Sequence, residues 1–170
     1  NVTGLTSFAV PLANGIINLL DSNSKLGDLT LSGASVSVRE TDTMTLQDVT
    51  AKTLVLQSTV DILNSEDGAM AVSGAATLTA GRDITLGGAT NAVRFGSIGL
   101  NAASASIIEA DSAQWANIQV TGDLHYTAPE SITDIGTVIN VGGRATITVT
   151  GAPQLLRLDG ISNRFASLKI

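Results

Sequence analysis

Apolar and polar residues alternate along this chain in short runs, and Ala76 to Leu86, ATLTAGRDITL, shows the unit most clearly. Alternation with period two places Ile84 and Leu86 on one face of a strand and Thr85 on the other. Gly81, between the Leu78 run and Ile84-Thr85-Leu86, can take a positive φ at little steric cost, so a sharp turn is predicted at Gly81-Arg82-Asp83. A strand this short cannot bury its apolar face alone. It needs copies of itself above and below.

The chain supplies them. Similar runs recur roughly every 8–12 residues, the spacing of an all-β chain. They include Leu29-Thr30-Leu31, Val36-Ser37-Val38, Met44-Thr45-Leu46, Leu54-Val55-Leu56, Ile98-Gly99-Leu100, Leu124-His125-Tyr126 and Ile147-Thr148-Val149. No window sustains an i, i+3, i+4, i+7 pattern, and the best helical candidate, Asn14 to Leu20, reads equally well as a strand.

Self-comparison strengthens the reading. VSGAATLTAG (Val72 to Gly81) matches VGGRATITVTG (Val141 to Gly151), and DITLGGATNAVRFGSIGL (Asp83 to Leu100) is echoed by LLRLDGISNRFASLKI (Leu155 to Ile170). Ile84 then pairs with Leu156, Leu86 with Leu158, Asn91 with Asn163 and Phe95 with Phe165. A second echo runs from Ile16–Gly33 to Ile107–Gly122. Strand positions are kept while loop lengths drift, which indicates a solenoid. Helical repeats, leucine-rich repeats and propeller blades lack their markers here. The prediction is an all-β chain wound as a β-helix (β-solenoid) of roughly 7–8 coils with two or three strands each. At about 4.8 Å per coil this makes a rod about 35–40 Å long. Asn91 and Asn163 are expected to turn the chain in left-handed conformation, or to stack as an amide ladder.

Composition narrows the partners. The net charge of -6 lacks the basic stripe that nucleic acid or an anionic membrane surface requires. Aromatics are only 3% of residues, so the core must come from Val, Ile, Leu and Ala, which suits a narrow interior of constant cross-section. The absence of cysteine excludes disulfides, thiolate metal sites and cysteine nucleophiles. The apolar stretch from Val10 to Leu20 is interrupted and too short to span a bilayer, so the chain is not expected to be membrane-embedded. Residues 1–170 read as a single β-helical repeat segment, an excerpt of a much longer chain.

TAGRDITL at Thr79 to Leu86, within the fuller cycle SGAATLTAGRDITLGGATNAVRFGSIGL, resembles the repeats of filamentous-haemagglutinin-like large exoproteins. The resemblance implies right-handed parallel β-helices exported by two-partner secretion, acting as surface adhesins or as stalks for toxins. It implies a bacterial cell-surface or secreted location, with an outer-membrane transporter as partner during export. The expected function is a structural and adhesive rod that spaces or presents a binding region for a host-cell or matrix glycan or protein. A polysaccharide-active enzyme on the same scaffold is one alternative; three or more charged side chains converging in one lateral groove would favour it. A filament or matrix protein assembling end to end through its open edges is another.

No catalytic, cofactor-binding or metal-ligating residue is assigned. His125, the only histidine, alternates away from the apolar residues and has no second ligand, so an exposed, inert position is expected. Arg82-Asp83 could be an acid–base pair, but the corresponding Ala152 to Gln154 carry no charge, which favours a turn. Glu40-Thr41-Asp42 and Glu66-Asp67-Gly68 lack the ligand spacing of calcium loops and read as solvated loops. Trp115 and Tyr126 are expected to seal a coil corner rather than stack on sugar. Phe8, Phe95 and Phe165 precede similar runs and are expected to fill one corner of the coil. Asn1-Val2-Thr3 has the glycosylation pattern, which a bacterial exoprotein would not ordinarily use.

Overall fold

A computed structural model describes the chain except for residues Asn1, Ser22, Ala89, Gly136, Thr137, Pro153 and Ile161. The glycosylation acceptor Asn1, and Pro153 beside Ala152, therefore lie outside the described residues. The described residues form an all-β chain without helix, a parallel β-solenoid of about 8 turns. Among the described residues no helix is long and apolar enough to cross a membrane.

Each complete turn runs through three faces. The first carries β1 (Thr6–Ala9), the start of β3 (Leu29–Glu40) and segments of β4 (Met44–Ser58), β6 (Met70–Ala80) and β8 (Val93–Ala102). Further along it carries the start of β10 (Ala113–Val120), β12 (Ser131–Asp134) and β14 (Leu155–Arg157). The second face carries β2 (Ile16–Leu19) and the later halves of β3, β4, β6, β8 and β10. The third carries the start of β4, then β5 (Ile62–Asn64), β7 (Asp83–Leu86), β9 (Ser104–Ile108) and β11 (Leu124–Ala128). At the far end β13 (Ile139–Val149) and β15 (Arg164–Lys169) span the second and third faces.

Runs that looked separate in sequence are often one bent strand. Leu29–Leu31 and Val36–Val38 both lie in β3, and Met44–Leu46 and Leu54–Leu56 both lie in β4. Parallel pairing with the neighbouring turn continues through the corner, with local shifts in register such as that between Ala51 and Leu54. Asn14 to Leu20 contains strand β2, not a helix.

The core is a set of ladders along the rod. Met44, Ile62, Ile84, Ala105, Leu124 and Ala145 pair successively at intervals of 18 to 22 residues, and all are buried. Each buried Met, Ile or Leu of the ladder contributes about 1.5–3 kcal/mol by leaving water, and each alanine methyl less. Ile84 and Leu86 point inward and Thr85 outward, as the alternation requires.

Gly81 is needed for a reason other than the expected positive φ, which among glycines occurs at Gly4 and Gly87. A Cβ at Gly81 would lie 2.1 Å from the Thr59 carbonyl oxygen of the preceding turn. Close backbone approach between stacked turns, not turn handedness, excludes a side chain there.

The sequence echoes do not superpose face on face. Ile84 sits on the third face, paired with Ile62 and Ala105, whereas its sequence counterpart Leu156 sits on the first, paired with Ile132. Phe95 is on the first face with Val72, and Phe165 is on the second with Val141. One internal copy thus advances by three turns and one further face. For the same reason Phe8, Phe95 and Phe165 do not fill one common corner: Phe8 pairs with Leu31 on the first face, as does Phe95 with Val72, while Phe165 does not.

Candidate functional site

The most unusual residues are two buried carboxyls. In the later half of β3 the inward positions are Val36, Val38 and Glu40, so strand parity carries Glu40 inside. Parity does the same after β9, where Ala105 and Ile107 are followed by Glu109. Glu40 is 0% exposed and Glu109 3%. The expectation of a solvated loop at Glu40-Thr41-Asp42 is therefore wrong for Glu40; the residue two positions beyond a buried Val38 in an extended chain has no outward option.

The two glutamates occupy the same constellation. Ser35-Val36-Ser37-Val38-Arg39-Glu40-Thr41-Asp42 corresponds to Ser104-Ala105-Ser106-Ile107-Ile108-Glu109-Ala110-Asp111. Glu40 Oε1 accepts the Leu26 backbone N–H at 2.8 Å, and Glu109 Oε1 accepts that of Phe95 at 3.0 Å, each donor lying 14 residues upstream. The residue before each donor is basic and approaches the second acid: Lys25 Nζ lies 3.8 Å from Asp42, and Arg94 Nε lies 3.8 Å from Asp111. In both acids Oδ1 is buried without a partner. The pattern S-x-S-x-x-E-x-D was visible in the sequence and is the signal that self-comparison missed.

The copies differ at the second glutamate oxygen. Tyr126 donates its hydroxyl proton to Glu109 Oε2 at 2.8 Å, while Glu40 Oε2 has no partner. Burial pushes the Glu109 carboxyl up to about 8, against the lowering effect of the Tyr126 bond. Burial likewise pushes Glu40 up to about 7, against the Leu26 bond and aided by Asp42. Burial also raises Tyr126 well above its usual range, with the Glu109 charge adding to it.

A lateral groove of about 510 Å³ runs beside the second constellation. Its lining includes Leu12, Lys52, Val72, Arg94, Phe95 and Asp111. Three charged residues meet there, but Arg94 and Asp111 pair with each other and Lys52 Nζ reaches the Ala13 carbonyl at 3.3 Å. Asp111 is the single carboxylate of the lining, whereas retaining or inverting glycoside hydrolysis needs two. No cluster of three or more His, Asp or Glu side chains that could hold a metal occurs among the described residues.

The other sequence candidates fall as follows. His125 is exposed between buried Leu124 and Tyr126. Trp115 and Tyr126 are buried edge to face, with ring centroids 4.9 Å apart, so neither offers a platform to sugar. Arg82 turns back to Asp61 of the preceding turn, with Nε to Oδ1 at 3.2 Å, and the Asp83 N–H reaches the same oxygen at 3.1 Å. The Arg82 bonds hold Asp61 below its ordinary range. Glu66 and Asp67 are exposed, as expected of a loop.

Asn91 and Asn163 neither stack nor adopt positive φ, which no described non-glycine residue does. Asn91 Nδ2 donates to the Ser65 carbonyl at 3.0 Å, and Asn163 Nδ2 donates to Asp134 at 2.6 Å. Each ties its loop to the previous turn. Asn64 and Asp134 perform matching tasks, accepting the N–H groups of Gly87 and Gly160 at 2.9 Å.

No curated protein and no solved structure gives a significant match. One family, described as repeats of unknown function (DUF5649), matches twice in tandem, over residues 33–98 and 101–169. Each match contains one of the two S-x-S-x-x-E-x-D segments, while the N–H donor to each glutamate lies upstream of that match. The match makes no specific link to filamentous haemagglutinin, and it covers most of the chain: the protein belongs to the DUF5649 family of repeats of unknown function.

Proposed function

We propose that this chain is a non-catalytic rod segment of a bacterial surface-exposed or secreted exoprotein, spacing or presenting a binding region. A repetitive β-solenoid is compatible with a structural rod role. The observation that carries the proposal is the continuous apolar ladder from turn to turn, interrupted among inward positions by the two clasping glutamates. Such an interior resists bending, because each turn is hydrogen-bonded to both neighbours. The adhesive role and the export route rest on the resemblance of TAGRDITL to exoprotein repeats. The test is immunogold electron microscopy of the natural protein on its own cells, with and without an in-frame deletion of whole turns. Surface labelling, with the distal epitope drawn in by about 4.8 Å per deleted turn, is the expected result. An intracellular protein, or unchanged reach after deletion, refutes it.

The groove beside Arg94 and Asp111 favours a second reading, an enzyme acting on polysaccharide. Its single carboxylate makes this the weaker one. Release of reducing ends from acidic or neutral polysaccharides, abolished by Asp111→Asn, would establish it over the rod.

A further inference from the structure

We propose that Glu40 is the latch of a proton-controlled clasp that fastens residues 24–26 to the end of β3. With its carboxyl protonated, Glu40 stays buried and holds Leu26; on ionisation it leaves the interior and frees the segment around Ser24 to Leu26.

Three connections of this segment radiate from one tripeptide. Leu26 N–H donates to Glu40 Oε1, the Thr41 N–H donates to the Ser24 carbonyl at 3.1 Å, and Lys25 approaches Asp42. Glu40, Thr41 and Asp42 thus grip residues 24–26 as a unit. The grip is asymmetric in strength between the two family repeats. Glu109 has Tyr126 to satisfy its second oxygen. Glu40 has Leu56 on its neighbouring strand where the second repeat has Tyr126, and its Oε2 is left alone in the interior. An ionised carboxylate with one unsatisfied buried oxygen is costly.

The charges facing Glu40 are few. Asp42, two residues on, repels its ionised form. Lys25 comes from the segment before β3 and is about half exposed, engaged with Asp42 at 3.8 Å. The neighbouring turn offers Ser58, whose hydroxyl donates to the Asp42 carbonyl rather than to Glu40. A charge on Glu40 would meet only the Leu26 N–H at Oε1; no cation among the described residues pairs with it and Oε2 has no partner, so moving out is the available response. Upstream of the latch Leu5 and Ile16 are largely exposed, so an opening of this little-buried segment stays local.

The test is amide hydrogen exchange by NMR on the 170-residue chain, expressed as protection factors to remove the intrinsic pH effect. Between pH 5.5 and 8.5 the protection of Leu26 and Thr41 should fall together by on the order of 10–30-fold, while Leu78 in β6 serves as the reference. Glu40→Gln, which keeps an acceptor but cannot ionise, should abolish that fall; Asp42→Asn should retain it. Equal protection at both pH values, the same fall in Glu40→Gln, or its loss in Asp42→Asn overturns the proposal. Should Glu40→Gln fail to fold, the side-chain carboxyl of Glu40 is titrated directly in the parent chain by carbon NMR. A midpoint near neutrality that tracks the loss of Leu26 protection sustains the latch, and a midpoint near the ordinary glutamate value of 4.5 refutes it.

Discussion

Raising the pH from 5 to 8 should destabilise this protein, and Glu109 should carry the largest part of the effect. Its carboxyl titrates near 4.5 in an unfolded chain and is pushed up to about 8 in the folded one. Between those values the folded state holds a proton that the unfolded state has lost. Stability is then fully present below about 4.5 and falls as pH rises through 8, at about 1.4 kcal/mol per pH unit for this one group. Taken over the whole interval the loss is roughly 4–5 kcal/mol at most, and relaxation or water entry at Glu109 reduces it. Glu40 adds in the same direction up to about 7. In acid the opposite sign operates. Arg82 holds Asp61 below its ordinary range, and for Asp134 the Asn163 and Gly160 bonds outweigh burial, so stability present above about 3.8 is lost at lower pH. The optimum therefore lies near pH 4–5, on the acid side of most proteins. Urea denaturation from pH 3.5 to 9 measures it, with Glu109→Gln expected to flatten most of the slope above pH 5. A stability that is flat or rising from pH 5 to 8 in the parent chain would refute the reasoning.

Other substitutions probe the packing. Tyr126→Phe removes the donor to Glu109 Oε2 while keeping the ring on Trp115, and should cost about 1–3 kcal/mol in urea denaturation at pH 5. Leu86→Asp places an unpaired charge in the fully buried ladder beside Ile107 and should cost several kcal/mol, enough to lower the melting temperature sharply. If it melts like the parent, Leu86 is not inside. Gly81→Ala drives a methyl onto the Thr59 carbonyl and should cost about 1–3 kcal/mol by strain. His125→Ala should stay within about 0.5 kcal/mol of the parent in the same assay.

The solenoid was legible because its information is local. Period-two runs such as Ile84-Thr85-Leu86 name their own inward residues, and near-copies at a distance announce stacking. The position of Glu40 was equally available from parity with Val36 and Val38, but the charge suggested a loop and outweighed the pattern. Glu109 follows the same parity beyond Ile107. The partner of each carboxyl was not legible, because Leu26 and Phe95 are brought there by the winding of a whole turn. The rotation between copies was hidden for a related reason. Alignment matches residues and loops, and it cannot tell whether the interval between them is a whole number of turns.

That interval has a consequence for how such a rod meets its surroundings. Glu40 and Glu109 lie 69 residues apart, which is three turns plus one of three faces. Any surface residue kept by every repeat would therefore appear on a spiral staircase, each step turned a third of the way round. Three repeats complete the circuit, after about 48 Å at about 4.8 Å per turn. A longer array of such repeats has no blind side. It offers the same chemical mark to partners approaching from every direction, without any change in the sequence of the unit.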